Sequence, residues 1–210
     1  MALEWSHDKA KDWIWRIGTQ TRSVMQEILA SEPIGITYLW VFLYGFAFYY
    51  VQVDGQSLGN TASFGSIFLN GIWLAPLLGG IYWILTSSLF WFFGRVWGGL
   101  ATWQEMTTTV AWSYIPYLLK LVLIWLQFLF FGEEMFASAS LITVLDLQLL
   151  LIFFSLLKIV VTVWFYIVQI RGVAEVHGIA TWKAATIVIS CVLLLSILLL
   201  WLFQLLIFPI

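Results

Sequence analysis

Five apolar stretches, roughly residues 34–53, 72–93, 108–131, 149–170 and 184–208, leave this sequence little freedom in what it can become. Each is close to the ~20 residues a helix needs to cross a bilayer. The hydrocarbon offers no water to backbone N–H and C=O groups, so the stretches must be helical. The predicted fold is all-α: a polytopic membrane protein with a five-span domain over 34–210, preceded by an amphipathic segment over 1–33. The shorter run 136–147, broken by Ser138, Ser140 and Asp146, is expected to lie at the interface and join spans three and four. With 62% of 210 residues apolar and 10% charged, too little is left for an extramembrane domain, which excludes soluble enzymes and nucleotide-binding modules. Nine Lys plus Arg against eleven Asp plus Glu leave no basic surplus, so nucleic acid is not an expected partner.

Orientation follows from the basic residues. Lys9, Lys11, Arg16 and Arg22 precede span one, Arg95 lies between spans two and three, and Arg171 and Lys183 lie between four and five. The two alternate loops carry none. Cytoplasmic loops hold the positive excess, so the amino terminus is predicted to be cytoplasmic and the carboxyl terminus outside, in the cell membrane. The first thirty residues lack the apolar core and cleavage site of a signal peptide, so span one is expected to act as its own insertion signal. Cys191, the single cysteine, falls in an apolar run and reads as a small buried hydrophobe.

In the amino-terminal segment, Trp13, Ile14, Ile17, Val24, Met25, Ile28 and Leu29 recur at helical spacing, with Lys11, Arg16, Arg22 and Glu27 elsewhere on the wheel. Gly18 and the following 19–23 stretch should divide it in two, since Gly costs about 1 kcal/mol inside a helix. The pattern fits a helix docked at the interface, with Trp13 and Trp15 in the headgroup zone, or a partner-binding helix in water. Pro33 then separates it from span one.

The two inner loops carry a repeated corner, Gly99-Leu100-Ala101-Thr102-Trp103-Gln104 and Gly178-Ile179-Ala180-Thr181-Trp182-Lys183. Each starts with a glycine suited to ending a helix, continues to a threonine able to cap the next, and adds an interfacial tryptophan. Thr102 with Glu105 makes a T-x-x-E capping box, whereas the second copy has Ala184 there. Spans two–three and four–five then read as two copies of one hairpin; independent selection of two turn-plus-tryptophan corners is the alternative.

The run from Gly98 to Glu105, followed by Ala111-Trp112-Ser113-Tyr114-Ile115-Pro116, together with the later run from Ala174 through Glu175 and His177 to Ala184, resembles the signatures of the Yip (Ypt-interacting protein) family. That resemblance implies five spans, a cytoplasmic amino terminus and a short tail on the far side. The acidic and tyrosine-glycine-proline motifs of the eukaryotic trafficking members are not seen, so the similarity is to the bacterial branch, some of whose members associate with ATP-driven export machinery.

Two lysines fall inside the spans, Lys120 in span three and Lys158 in span four, where a charge costs about 2.5 to 3.5 kcal/mol on the insertion scale. Polar residues flank both at helical steps: Thr109, Ser113, Pro116 and Gln127 in span three, Gln148, Ser155, Thr162, Tyr166 and Gln169 in span four. Both stripes are expected to face one another or a wet interior. At 1.5 Å per residue the lysines lie at one level, roughly 18 to 20 Å from the inner ends. Their counter-charge is sought in Asp146, Glu133 or Glu134, in carbonyls released at Pro116, in a lipid phosphate or in an anionic substrate. Lys120, Lys158, Ser113, Gln127, Ser155 and Thr162 make the candidate intramembrane site, the alternative being that each ammonium snorkels or is satisfied within the bundle. Pro76 and Pro116 predict kinks, and Gly79, Gly80, Ser87, Gly94 and Gly98 offer small surfaces for helix contact, within the chain or in a homo-oligomer.

No metal-ligand cluster, nucleophile with a positioned base or phosphate loop is present in the sequence, so neither enzymatic activity nor a cofactor is predicted. The expected function is a scaffold or assembly partner of other integral membrane proteins, an ABC-type exporter among them, with membrane lipids as the surrounding partner. Its candidate partner surface is inner-side: Gly98, Gly99, Thr102, Trp103, Glu105, Glu175, His177, Trp182 and Lys183. A small carrier or channel for an anion or lipid, using the lysines, is the rival.

Overall fold

The computed structural model describes residues 7–31, 34–136 and 145–207, and among them every regular element is helical. The amphipathic segment is two helices, α1 (His7–Arg16) and α2 (Thr21–Ser31), broken where Gly18 predicts. Ala10, Trp13 and Ile17 on α1 and Thr21, Val24, Met25 and Ile28 on α2 are buried, one stripe on each helix. Trp13 therefore points inward, while Trp15 is 84% exposed. A charged clasp closes the pair: the Trp13 indole donates to Glu27 Oε2 at 2.8 Å, and the Arg16 guanidinium reaches Glu27 at 2.9 Å and Asp12 at 2.6 Å.

The Arg16 hydrogen bond holds the Glu27 carboxyl below the usual range, against the opposing effect of burial. A carboxyl depressed in the folded state stabilises it above its unfolded value, about 4.3, and that contribution disappears as pH falls through the folded value. The protection of α1 backbone amides against hydrogen exchange, measured relative to the intrinsic rate at each pH, should accordingly fall on acidification below about pH 4.3, and Glu27→Gln should flatten the dependence. A pH profile unchanged by that substitution would show that the clasp does not hold α1.

Five helical stretches are long and apolar enough to cross a membrane: α3 (Ile34–Gly55), α4 (Phe64–Val96), α5 (Trp103–Ser113) continued by α6 (Leu119–Phe131), α7 (Leu145–His177) and α8 (Thr181–Ile207). The helices outrun their apolar cores. At 33 residues, α4 and α7 are each about 50 Å long against a hydrocarbon core of ~30 Å, so each tilts or projects into the headgroups. The outward apolar side chains of the spans are what lipid-facing positions require; Leu129 on α6 is 76% exposed. Pro116 interrupts the third span as predicted: α5 stops, a 3₁₀ turn covers Ile115–Leu118, and α6 begins. Pro76 lies inside an unbroken α4. Pro33 and most of the 136–147 connection fall outside the described residues.

Contacts group the chain into two compact units: residues up to 31, 83–110 and from 168 onward; and 34–82 with 111–167. Within the second, α3 and α4 cross at glycines. A Cβ on Gly45 would strike the Ala75 carbonyl, and one on Gly79 would lie 2.7 Å from the Gly45 Cα. Gly79, expected to serve a helix contact within or between chains, is thus used within the chain, while Gly80 has open space. Gly45 was not singled out by the sequence reading.

Candidate functional site

The two repeated corners belong to the first unit. Gly98 at φ 87° and Gly178 at φ 64° end α4 and α7 in the left-handed conformation that side chains with a Cβ resist. Each helix closes with paired backbone bonds, Gly99 N–H to Gly94 O and Gly98 N–H to Arg95 O, then Ile179 N–H to Ala174 O and Gly178 N–H to Glu175 O. The turning residue of the first corner is therefore Gly98, one before the Gly99 that the sequence match aligns with Gly178. Thr102 caps α5 through the expected box: its N–H and hydroxyl donate to Glu105 Oε2 at 2.7 and 2.8 Å, and Glu105 N–H donates back at 3.2 Å. Thr181 does otherwise; its hydroxyl oxygen accepts from the Arg22 guanidinium at 2.8 Å, and Ala180 O takes the first helical bonds of α8.

His177 locks the corners together. Its ring is buried, with Nε2 donating to the Phe90 carbonyl at 3.1 Å, and it fills the space a Cβ on Gly94 or Gly99 would occupy. The His177 carbonyl accepts from Leu100 N–H at 3.1 Å. Glu175 is likewise engaged from within, accepting from Gln26 at 2.5 Å and pairing with Arg22 at 3.7 Å. The corner thus includes α2, whose Met25 also reaches the space beside Gly172. His177, Glu175 and Gly99 were expected on a partner surface, but they build the corner itself. The outward groups are Trp103 and Trp182, 45% and 64% exposed, with Leu100. Trp103 touches Ser88 at 3.3 Å, Trp182 packs edge-on to Trp97 at 5.8 Å, and the Lys183 ammonium lies 5.9 Å from the Trp182 ring centre.

The two lysines belong to the second unit, and both are buried. Lys158 Nζ pairs with Asp54 Oδ2 at 2.5 Å. That counter-charge is none of those sought in the sequence: Asp54 lies one residue past the expected end of span one, yet α3 continues through Gly55 and carries it. Lys120 lies over the Tyr117 ring, 4.2 Å from its centre. Tyr117 belongs to a packed aromatic cluster in which Tyr44 stacks on Tyr114 at 3.8 Å and contacts Tyr82 and Phe165. No sequence signal separates these rings from lipid-facing ones. Ser113 and Gln127 are buried on the Lys120 helix series, with Gln127 Oε1 lacking a partner among the described residues. In span four the expected polar stripe divides. Ser155 is exposed and satisfied by the Leu151 carbonyl at 2.9 Å, and Thr162 donates to Lys158 O at 2.6 Å. A hydroxyl that bonds its own preceding turn needs no interior partner.

Among the described residues no three His, Cys, Asp or Glu side chains converge as metal ligands. A family model described as the Yip1 domain matches residues 15–203. No curated protein and no solved structure matches the chain.

Proposed function

This chain belongs to the Yip1 domain family, a non-enzymatic membrane family, and from that premise we propose that it is a scaffold without chemistry of its own, assembling or modulating other integral membrane proteins. An ABC-type export complex is the class of partner in view. In this reading the amino terminus and both corners face the cytoplasm, the carboxyl terminus lies outside, and the membrane is that of a bacterial cell. The observation that carries it is the pair of outward tryptophans, Trp103 and Trp182, on corners whose Thr102, Glu105 and Glu175 side chains are bonded within the chain. Large amphipathic rings on a rigid support are what a lateral partner or a headgroup layer recognises. A carrier working through the lysines would need them open to an anion. Lys158 is instead neutralised by Asp54, and Lys120 rests on packed tyrosines.

Photo-crosslinking residues placed at Trp103 and Trp182 in native membranes should yield discrete adducts with other membrane proteins, while a probe at lipid-facing Leu129 should yield lipid. Lipid adducts alone from both corner positions would sink the scaffold reading.

A further inference from the structure

A cleft of about 700 Å³ opens at the start of α2, lined by Thr19, Ser23, Arg22, Arg171 and Thr181 among others. Its charge is unbalanced. Arg22 shares the carboxylate of Glu175, but Arg171 forms no ion pair among the described residues. The first N–H groups of α2 add positive potential at the same place, because the opening turn of a helix has no internal acceptors. Two guanidinium groups and the opening amides of α2 converging on an open cleft form the donor set that phosphate oxygens take, while the hydroxyls of Thr19, Thr21 and Ser23 are spent on carbonyls of the preceding turn.

The depth of the cleft indicates which phosphate. Arg171 follows directly on the apolar run 149–170, and Thr181 opens the last span, so both stand where spanning helices leave the hydrocarbon. Trp182, adjacent to Thr181 and 64% exposed, is the kind of ring that anchors at headgroup level. We propose that this cleft binds the phosphate headgroup of an anionic membrane lipid, with Arg171 as the unshared contact and Arg22 as the one that ties the site to α2.

The test is native mass spectrometry of the full chain in detergent, offered phosphatidylglycerol or phosphatidylcholine at equal mole ratio. Wild-type protein should retain phosphatidylglycerol preferentially, and Arg171→Gln should reduce that retention roughly five-fold, the factor expected for one basic group at an anionic surface. Arg171→Lys should keep most of it. Because Arg171 is exposed and forms no ion pair among the described residues, Arg171→Gln should elute and melt as wild type does, whereas Arg22→Gln also loosens the α2 contact and is read only beside it. Equal retention of the two lipids, or retention unaffected by Arg171→Gln, would overturn the proposal. So would displacement of phosphatidylglycerol by millimolar inorganic phosphate, which would make the cleft a site for a free anion.

Discussion

Replacing Gly94 with leucine should destabilise the protein by about 3 kcal/mol, at the upper end of what overpacking costs. By propensity alone the change is favourable, since glycine inside a helix is worse than a straight-chain residue by about 1 kcal/mol. The two effects have opposite signs, and the clash should win, because the added Cβ falls on the His177 ring, itself held by the Phe90 carbonyl. The unfolding midpoint in mixed detergent and dodecyl sulfate micelles reads the outcome. Combining Gly94→Leu with His177→Ala should recover part of the loss, as removing the ring makes room. A single variant as stable as wild type, or more so, would mean that His177 does not lock the corners.

The second large effect concerns Asp54. Asp54→Asn removes the partner of a buried ammonium, and breaking such a pair costs about 3 to 5 kcal/mol. Asp54→Leu together with Lys158→Met should be far less damaging, because the double variant has no charge to bury. The same unfolding assay measures both, and a double-mutant cycle isolates the coupling. If Asp54→Asn and Lys158→Met each cost little and their effects simply add, the pair is not holding α3 to α7. Lys120→Met should behave differently from Lys158→Met, since it leaves the Tyr117 ring in place and exposes no unpaired carboxylate.

The spans were legible in the sequence because a bilayer imposes one requirement, about 20 apolar residues per crossing, that does not depend on any distant contact. The break at Gly18, the turn at Pro116 and the Thr102–Glu105 cap were legible for the same reason: each is decided within a few residues. What was not legible depends on distance or on helix ends. Asp54 was placed outside span one because hydropathy marks where apolar residues stop, while the backbone hydrogen bonds of α3 carry the helix to Gly55. His177 was expected to form a hydrogen bond in its loop, but its burial was not legible, because its acceptor, Phe90, and its glycine cradle lie far earlier in the chain. Ser155 was drawn into an interior stripe by spacing alone, although a serine can satisfy its hydroxyl on its own helix and face lipid.

The lock at His177 also sets an order of events during synthesis. Phe90 leaves the ribosome 87 residues ahead of the imidazole that will occupy the notch beside it. At 5 to 20 residues per second, that notch stands open for about 4 to 17 s. Over that interval the second and third crossings must be held by the insertion machinery or by surrounding acyl chains, and a nascent chain arrested before the fourth crossing would never acquire its own latch.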